Sequence, residues 1–143
     1  MKKFAVLVDG SDPSMRAAKY TAELASAVGA TVEIIHVMNL DSRLNAVSTL
    51  KSDYTPEVVL EESRAQGRQI LEEAKALFPE TIELYLRLVT GRPVEKALDF
   101  CQEMQPDLVI IGARGLGGIK GAVLGSISTA LLENMKCPLL IIK

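Results

Sequence analysis

The chain has 143 residues, 48% of them hydrophobic, a length and apolar content that fit one domain with a core of its own. With 16 Lys plus Arg against 18 Asp plus Glu, the net charge is −2, which lacks the basic footprint that nucleic-acid backbones select and sets DNA and RNA aside. No run approaches membrane-spanning length, and the two cysteines, Cys101 and Cys137, lack the paired spacing of a zinc site or a secreted disulfide framework, which points to a reducing, cytoplasmic setting.

Short apolar runs alternate with longer stretches of helical period, the pattern of a parallel sheet with helices on its faces. With no repeat or linker in evidence, residues 1–143 read as one domain of five strands and four helices. The first strand is Phe4 to Val8; the basic residues before it resemble the start of a secretion signal, but Asp9 ends the apolar run after five residues. Ser11-Asp12-Pro13 supplies a cap and a first-turn proline, and Ala17, Thr21, Leu24, Ala25 and Val28 recur at helical spacing until Gly29. The second strand spans Thr31 to Val37. A polar loop from Asn39 to Tyr54 precedes a helix opened by Thr55-Pro56, with Ile70, Ala74 and Leu77 on its buried face and Phe78-Pro79 at its close.

In the third strand Ile82, Leu84, Leu86 and Leu88 alternate with Glu83, Tyr85 and Arg87, so one face is expected to be fully buried and the strand to lie at a sheet edge. Gly91-Arg92-Pro93 begins a helix with an apolar stripe of Val94, Ala97, Leu98, Cys101 and Met104, ended by Pro106. Leu108 to Ile111 is apolar on both faces and belongs inside the sheet. A helix from about Ser126 to Met135 and a strand from Leu139 to Ile142 complete the chain.

The chemistry concentrates after the fourth strand, in Gly112-Ala113-Arg114-Gly115, then nine residues from Leu116 to Leu124, then Gly125-Ser126. Glycines admit positive φ and close approach of N–H groups to an anion, and a helix start adds unpaired N–H groups and the positive end of its dipole, so phosphate fits such a place. The spacing is neither the Walker pattern, since Gly118 follows Gly117, nor GxGxxG, since Lys120 stands where its third glycine would be.

GxxGx9G followed by Ser resembles the hallmark of the universal stress protein family, in its ATP-binding branch. The resemblance extends to Val6-Leu7-Val8-Asp9-Gly10-Ser11, His36-Val37, Asp107 to Gly112 and Cys137-Pro138-Leu139-Leu140-Ile141-Ile142, and so covers essentially the whole chain. It implies an open five-stranded parallel α/β sheet of order 3-2-1-4-5, adenine-nucleotide α-hydrolase-like, with Asp9 and Gly112 side by side at the switch point where ligands bind. It further implies that Gly112, Arg114 and Gly115 meet the ribose and phosphates of ATP. Gly125, Ser126, Ile127 and Ser128 would wrap the phosphate tail, Val37 and Ile111 would border the adenine, and Asp9 would hold Mg²⁺ (or Mn²⁺) against the phosphates.

Each residue also has a plainer reading. The glycines could be turn and cap residues, Asp9 the side chain of an Asx turn, Ser126 a helix cap and Ser128 an ordinary first-turn serine. Arg114 and Lys120 could be solvated charges, and His36, the only histidine, reads as structural. At the level of function, a nucleotide-dependent stress-response module acting as a homodimer competes with a slow ATPase or autophosphorylating enzyme on Ser126 or Ser128, and with a nucleotide-free structural dimer. The module is favoured because no positioned base accompanies the single carboxylate and arginine that phosphoryl transfer would draw on. The last strand, apolar on both faces at an edge, is expected to pair with its copy, and a further protein partner is left open.

Overall fold

The computed structural model describes residues 2–41, 55–113 and 124–143. Within them the chain runs β1 (Lys3–Leu7), α1 (Asp12–Val28), β2 (Thr31–Met38), α2 (Pro56–Lys75), β3 (Leu84–Thr90), α3 (Pro93–Met104), β4 (Leu108–Gly112), α4 (Ser126–Asn134) and β5 (Leu139–Ile142). The strands form one parallel sheet in the order β3-β2-β1-β4-β5, with β3 at one edge and β4 interior as expected. The register sets Leu7 opposite both Ile35 and Ile111, and Gly112 opposite Ile142.

Alternation along the buried strands divides the core into two layers. Phe4, Val6, Val8, Val32, Ile34 and Ile110 face α1 and α2, where Ala17, Ala18, Ala25, Leu71 and Ala74 close over them. Ala5, Leu7, Ile35, Val109 and Ile111 face α3 and α4 and meet Ala97, Phe100, Cys101 and Leu131. The crossovers after β1 and β2 thus pack on one face and those after β3 and β4 on the other. That reversal opens a switch point between β1 and β4.

The signals that bound α1 and open α2 act as read. The Ser11 side chain accepts from Ser14 N–H at the start of α1, and Gly29 ends that helix in the left-handed region at φ 70°. Thr55 caps α2 in the same way through Val58 N–H. Cys101 and Cys137 are free thiols packed in the α3–α4 layer, and burial pushes the Cys101 thiol up to about 12.

Four expectations are corrected. The buried face of α2 runs through Val59, Ser63, Gly67, Leu71 and Ala74, whereas Leu77 lies beyond the helix and is exposed. Gly67 was invisible as a core position because its function there is to be small: an added Cβ would stand 2.7 Å from a Leu88 methyl. In α1, Val28 is exposed, and in α3 the buried stripe includes Phe100, which the apolar spacing had passed over. Neither face of β3 is fully buried. Leu86 is 36% exposed at the uncovered edge, while Arg87 on the other side lies over the Phe100 ring at 5.2 Å and pairs with Glu33 at 2.7 Å. An edge strand has a helix above only part of its width, so period-2 alternation there marks sides without guaranteeing cover.

Gly112 is where the layers close on each other. A Cβ on it would lie 2.8 Å from the Pro13 carbonyl carbon and 2.9 Å from Ser14 N, main-chain atoms that cannot rotate away. Gly112→Ala should therefore cost about 1–3 kcal/mol in urea unfolding with no nucleotide present, the range for overpacking a close contact. An unchanged midpoint would show that the contact has slack.

Candidate functional site

At the C-terminal end of β1 the chain turns through Asp9, Gly10 and Ser11. Gly10 takes φ +83°, a left-handed conformation that glycine adopts without a Cβ penalty. Asp9 Oδ1 accepts from Ser11 N–H at 2.9 Å and from the Ser11 hydroxyl, an Asx turn that feeds α1. Asp9 N–H donates to Ser14 Oγ at 3.2 Å, and the Ser14 hydroxyl donates to the Ser11 carbonyl at 2.9 Å. The plainer reading of Asp9 is thus realised, and it fixes the carboxylate beside the positive end of α1. Ser14, outside the expected site residues, ties the turn together, and its i+3 spacing from Ser11 is the signal that marks it.

Across the switch point, Ala113 N–H donates to the Ile142 carbonyl at 2.7 Å and the Ala113 carbonyl accepts from Gly125 N–H at 2.7 Å. Gly125 is thereby pinned to the end of β4. Its position is the N-cap of α4, with extended backbone (φ −72°, ψ 168°) and no side chain to cap the first turn. The expectation that Ser126 caps this helix is corrected, because Ser126 stands one residue inside it. Ser128 is buried, and its hydroxyl donates to the Gly112 carbonyl at 3.2 Å. In this structure that hydroxyl proton holds α4 to β4.

Two helix starts therefore converge on the last residue of β4 and the one that follows it: α1 through Pro13 and Ser14 on Gly112, and α4 through Gly125 on Ala113 and Ser128 on Gly112. Their electrostatics differ. The start of α1 has Asp9 and Asp12 beside it, whereas the first turn of α4 contains no acidic residue and no side-chain cap. Among the described residues, the α4 end is the one with no acidic residue in its first turn.

Val37, Ile111 and Ile127 belong to the α3–α4 layer, with Ile111 buried and Val37 and Ile127 partly so. They form an apolar floor on the α4 side of the strand ends. Arg114, Gly115 and Lys120 lie outside the described residues. His36 donates from Nδ1 to the Val8 carbonyl at 2.8 Å, in keeping with a structural role. Among the described residues, a concavity of about 290 Å³ opens at the opposite, N-terminal end of the strands, between Lys3, Glu33, Arg87 and Glu103. Its arginine is already bonded to Glu33 at 2.7 Å and Glu103 at 3.5 Å, so it offers an anion little.

Known proteins resemble this chain in sequence and in fold. The family model described as the universal stress protein family matches residues 1–143. The universal stress protein YxiE of Bacillus subtilis is 31% identical, over 99% of this chain and 98% of the relative. A solved universal stress protein in complex with cAMP superposes with TM-score 0.64 at 26% identity, covering 99% of this chain and 95% of that one. The universal stress protein from Archaeoglobus fulgidus in complex with dAMP shares the fold with TM-score 0.68 at 20% identity, covering 100% and 98%.

Replacing Ser128 by Ala removes the tie between α4 and the end of β4. The expected loss is about 1 kcal/mol of unfolding free energy, the usual net value of such a bond. Retention of full stability in chemical denaturation would show the bond to be dispensable.

Proposed function

The chain belongs to the universal stress protein family, and from that premise we propose that it binds an adenine nucleotide, ATP with Mg²⁺, at the switch point between β1 and β4, and acts as a nucleotide-dependent regulatory module. The observation that carries this reading is the start of α4: a glycine N-cap pinned to the end of β4, with no side-chain cap and no acid in the first turn. The N–H groups of Ser126, Ile127 and Ser128 would receive the phosphates there, and the helix dipole would favour their charge. Val37 and Ile111 supply an apolar border suited to a purine. The complexes of relatives with cAMP and dAMP support an adenine nucleotide as the ligand class.

Asp9 fits the metal in this reading. Magnesium binds through one or two protein carboxylates plus phosphates and water, and Asp9 is held rigidly across the switch point by its bonds to Ser11. The ion would neutralise charge between that carboxylate and the phosphates. Arg114 and Gly115 complete the proposed ligand set as donors from the glycine segment, and residues 1–143 form the proposed single domain, acting in the cytoplasm.

Gly125→Val tests the site. Its backbone angles suit any residue, so the fold should survive, while the β-branched side chain would stand where phosphate approaches. Calorimetric affinity for MgATP should fall by at least about tenfold, with the circular dichroism spectrum unchanged. Equal affinities in the variant and the parent would remove the pocket.

The homodimer is proposed through β5. This strand lies at the sheet edge, and all four of its apolar residues are only partly buried in the single chain. An edge of that kind pairs readily, here with its own copy about a two-fold axis. Ile141→Lys should give monomers in sedimentation at concentrations where the parent is dimeric; a persisting dimer would place the interface elsewhere.

A further inference from the structure

The carbonyl of Val8 lies where β1 leaves the sheet. Its amide still donates to Ile35 at 2.9 Å, continuing the ladder, and the next residue, Asp9, begins the turn. At that carbonyl stands the His36 ring, with Nδ1 at 2.8 Å. A carbonyl oxygen can only accept, so a proton must reside on Nδ1. The ring is also held from behind. A Cβ on Gly67 of α2 would come within 3.2 Å of His36 Cδ2, so the imidazole fills the space that glycine leaves. One turn further along the same helix, Ile70 lies 3.2 Å from where a Cβ on Gly10 would be. Helix α2 therefore braces both ends of the Val8–Gly10 segment, through His36 at one end and directly at the other, with Asp9 between them.

From this we infer that His36 is a positioning residue for the nucleotide site: its Nδ1–H bond to Val8 fixes the main chain from which Asp9 faces the metal and phosphates. The inference rests on the nucleotide reading for its consequence in affinity, but the bracing is a property of the free protein. Loss of the bond releases the Val8 carbonyl while Asp9 N–H keeps its bond to Ser14 Oγ, and the loosened turn must then be ordered partly at the expense of binding. His36 touches no reacting atom in this scheme and acts only through Asp9.

Two substitutions separate the roles. His36→Leu keeps the bulk and removes the donor, whereas His36→Asn places an amide N–H close to the position of Nδ1. In nucleotide-free protein, amide exchange at Asp9 and Ser11 should quicken by about fivefold to tenfold in the leucine variant, the worth of one hydrogen bond, while exchange at Val6, Ile34 and Val109 stays the same. MgATP affinity measured by calorimetry should fall by a similar factor. The asparagine variant should restore both to within about twofold of the parent. Unchanged exchange at Asp9 and Ser11 in the leucine variant overturns the inference, as does an asparagine variant no better than leucine. If the parent binds neither MgATP nor AMP, the nucleotide reading fails and the exchange comparison alone decides whether His36 holds the turn. Should the leucine variant not fold, nitrogen-15 spectra of the parent imidazole decide: a proton on Nδ1 at neutral pH supports the bond, and a ring protonated only at Nε2 refutes it.

Discussion

The close approach of the first turn of α1 to the end of β4 is the constraint on which the rest of this molecule depends. Residue 112 must lack a side chain because the main chain of Pro13 and Ser14 occupies the space a Cβ would take. Two segments almost a hundred residues apart in sequence are thereby brought into contact at the one place where the crossovers change face. Everything chemically suggestive gathers around that contact: the Asp9 turn on one side, the start of α4 on the other, and the Ser128 hydroxyl bridging back to the Gly112 carbonyl.

This changes the meaning of the glycine motif. A glycine ahead of a phosphate-binding loop is usually explained by the ligand, which needs backbone amides at close range. At position 112 the fold already requires glycine, and a ligand would use a surface that packing has made available. Gly125 is the complementary case. Its backbone angles would suit other residues, so the want of a side chain is not demanded by local conformation, and its effect is to leave the positive end of α4 without a cap. One glycine brings the elements together and the other leaves the start of α4 without a side-chain cap.

The two helix starts illustrate how charge is distributed at such a point. Asp9, locked by Ser11, serves the start of α1 and stabilises it at all times. The first turn of α4 contains no acidic residue. A polyanion with a divalent cation bridging to Asp9 would satisfy both, which is why membership of this family, with relatives in complex with adenine nucleotides, is chemically coherent with the geometry. The support of α2 behind the Asp9 turn adds a mechanical element, because the turn is held from the side away from α4.

The sequence by itself determined the alternation of strands and helices, the capping by Ser11 and Thr55, the stop at Gly29, the edge position of β3, and the glycine spacing that marks the switch point. These are legible because they depend on side chains a few residues apart and on periods of two or 3.6. Tertiary structure alone decided that Gly112 is small for the sake of Pro13 and Ser14, that Gly67 makes room for His36 and Leu88, that Phe100 rather than the edge of β3 receives Arg87, and that Ser128 spends its proton on Gly112. Each joins groups from different crossovers. A one-dimensional pattern records that a residue is small, polar or charged, but the atom it meets is fixed only when the sheet order and both helical layers are in place.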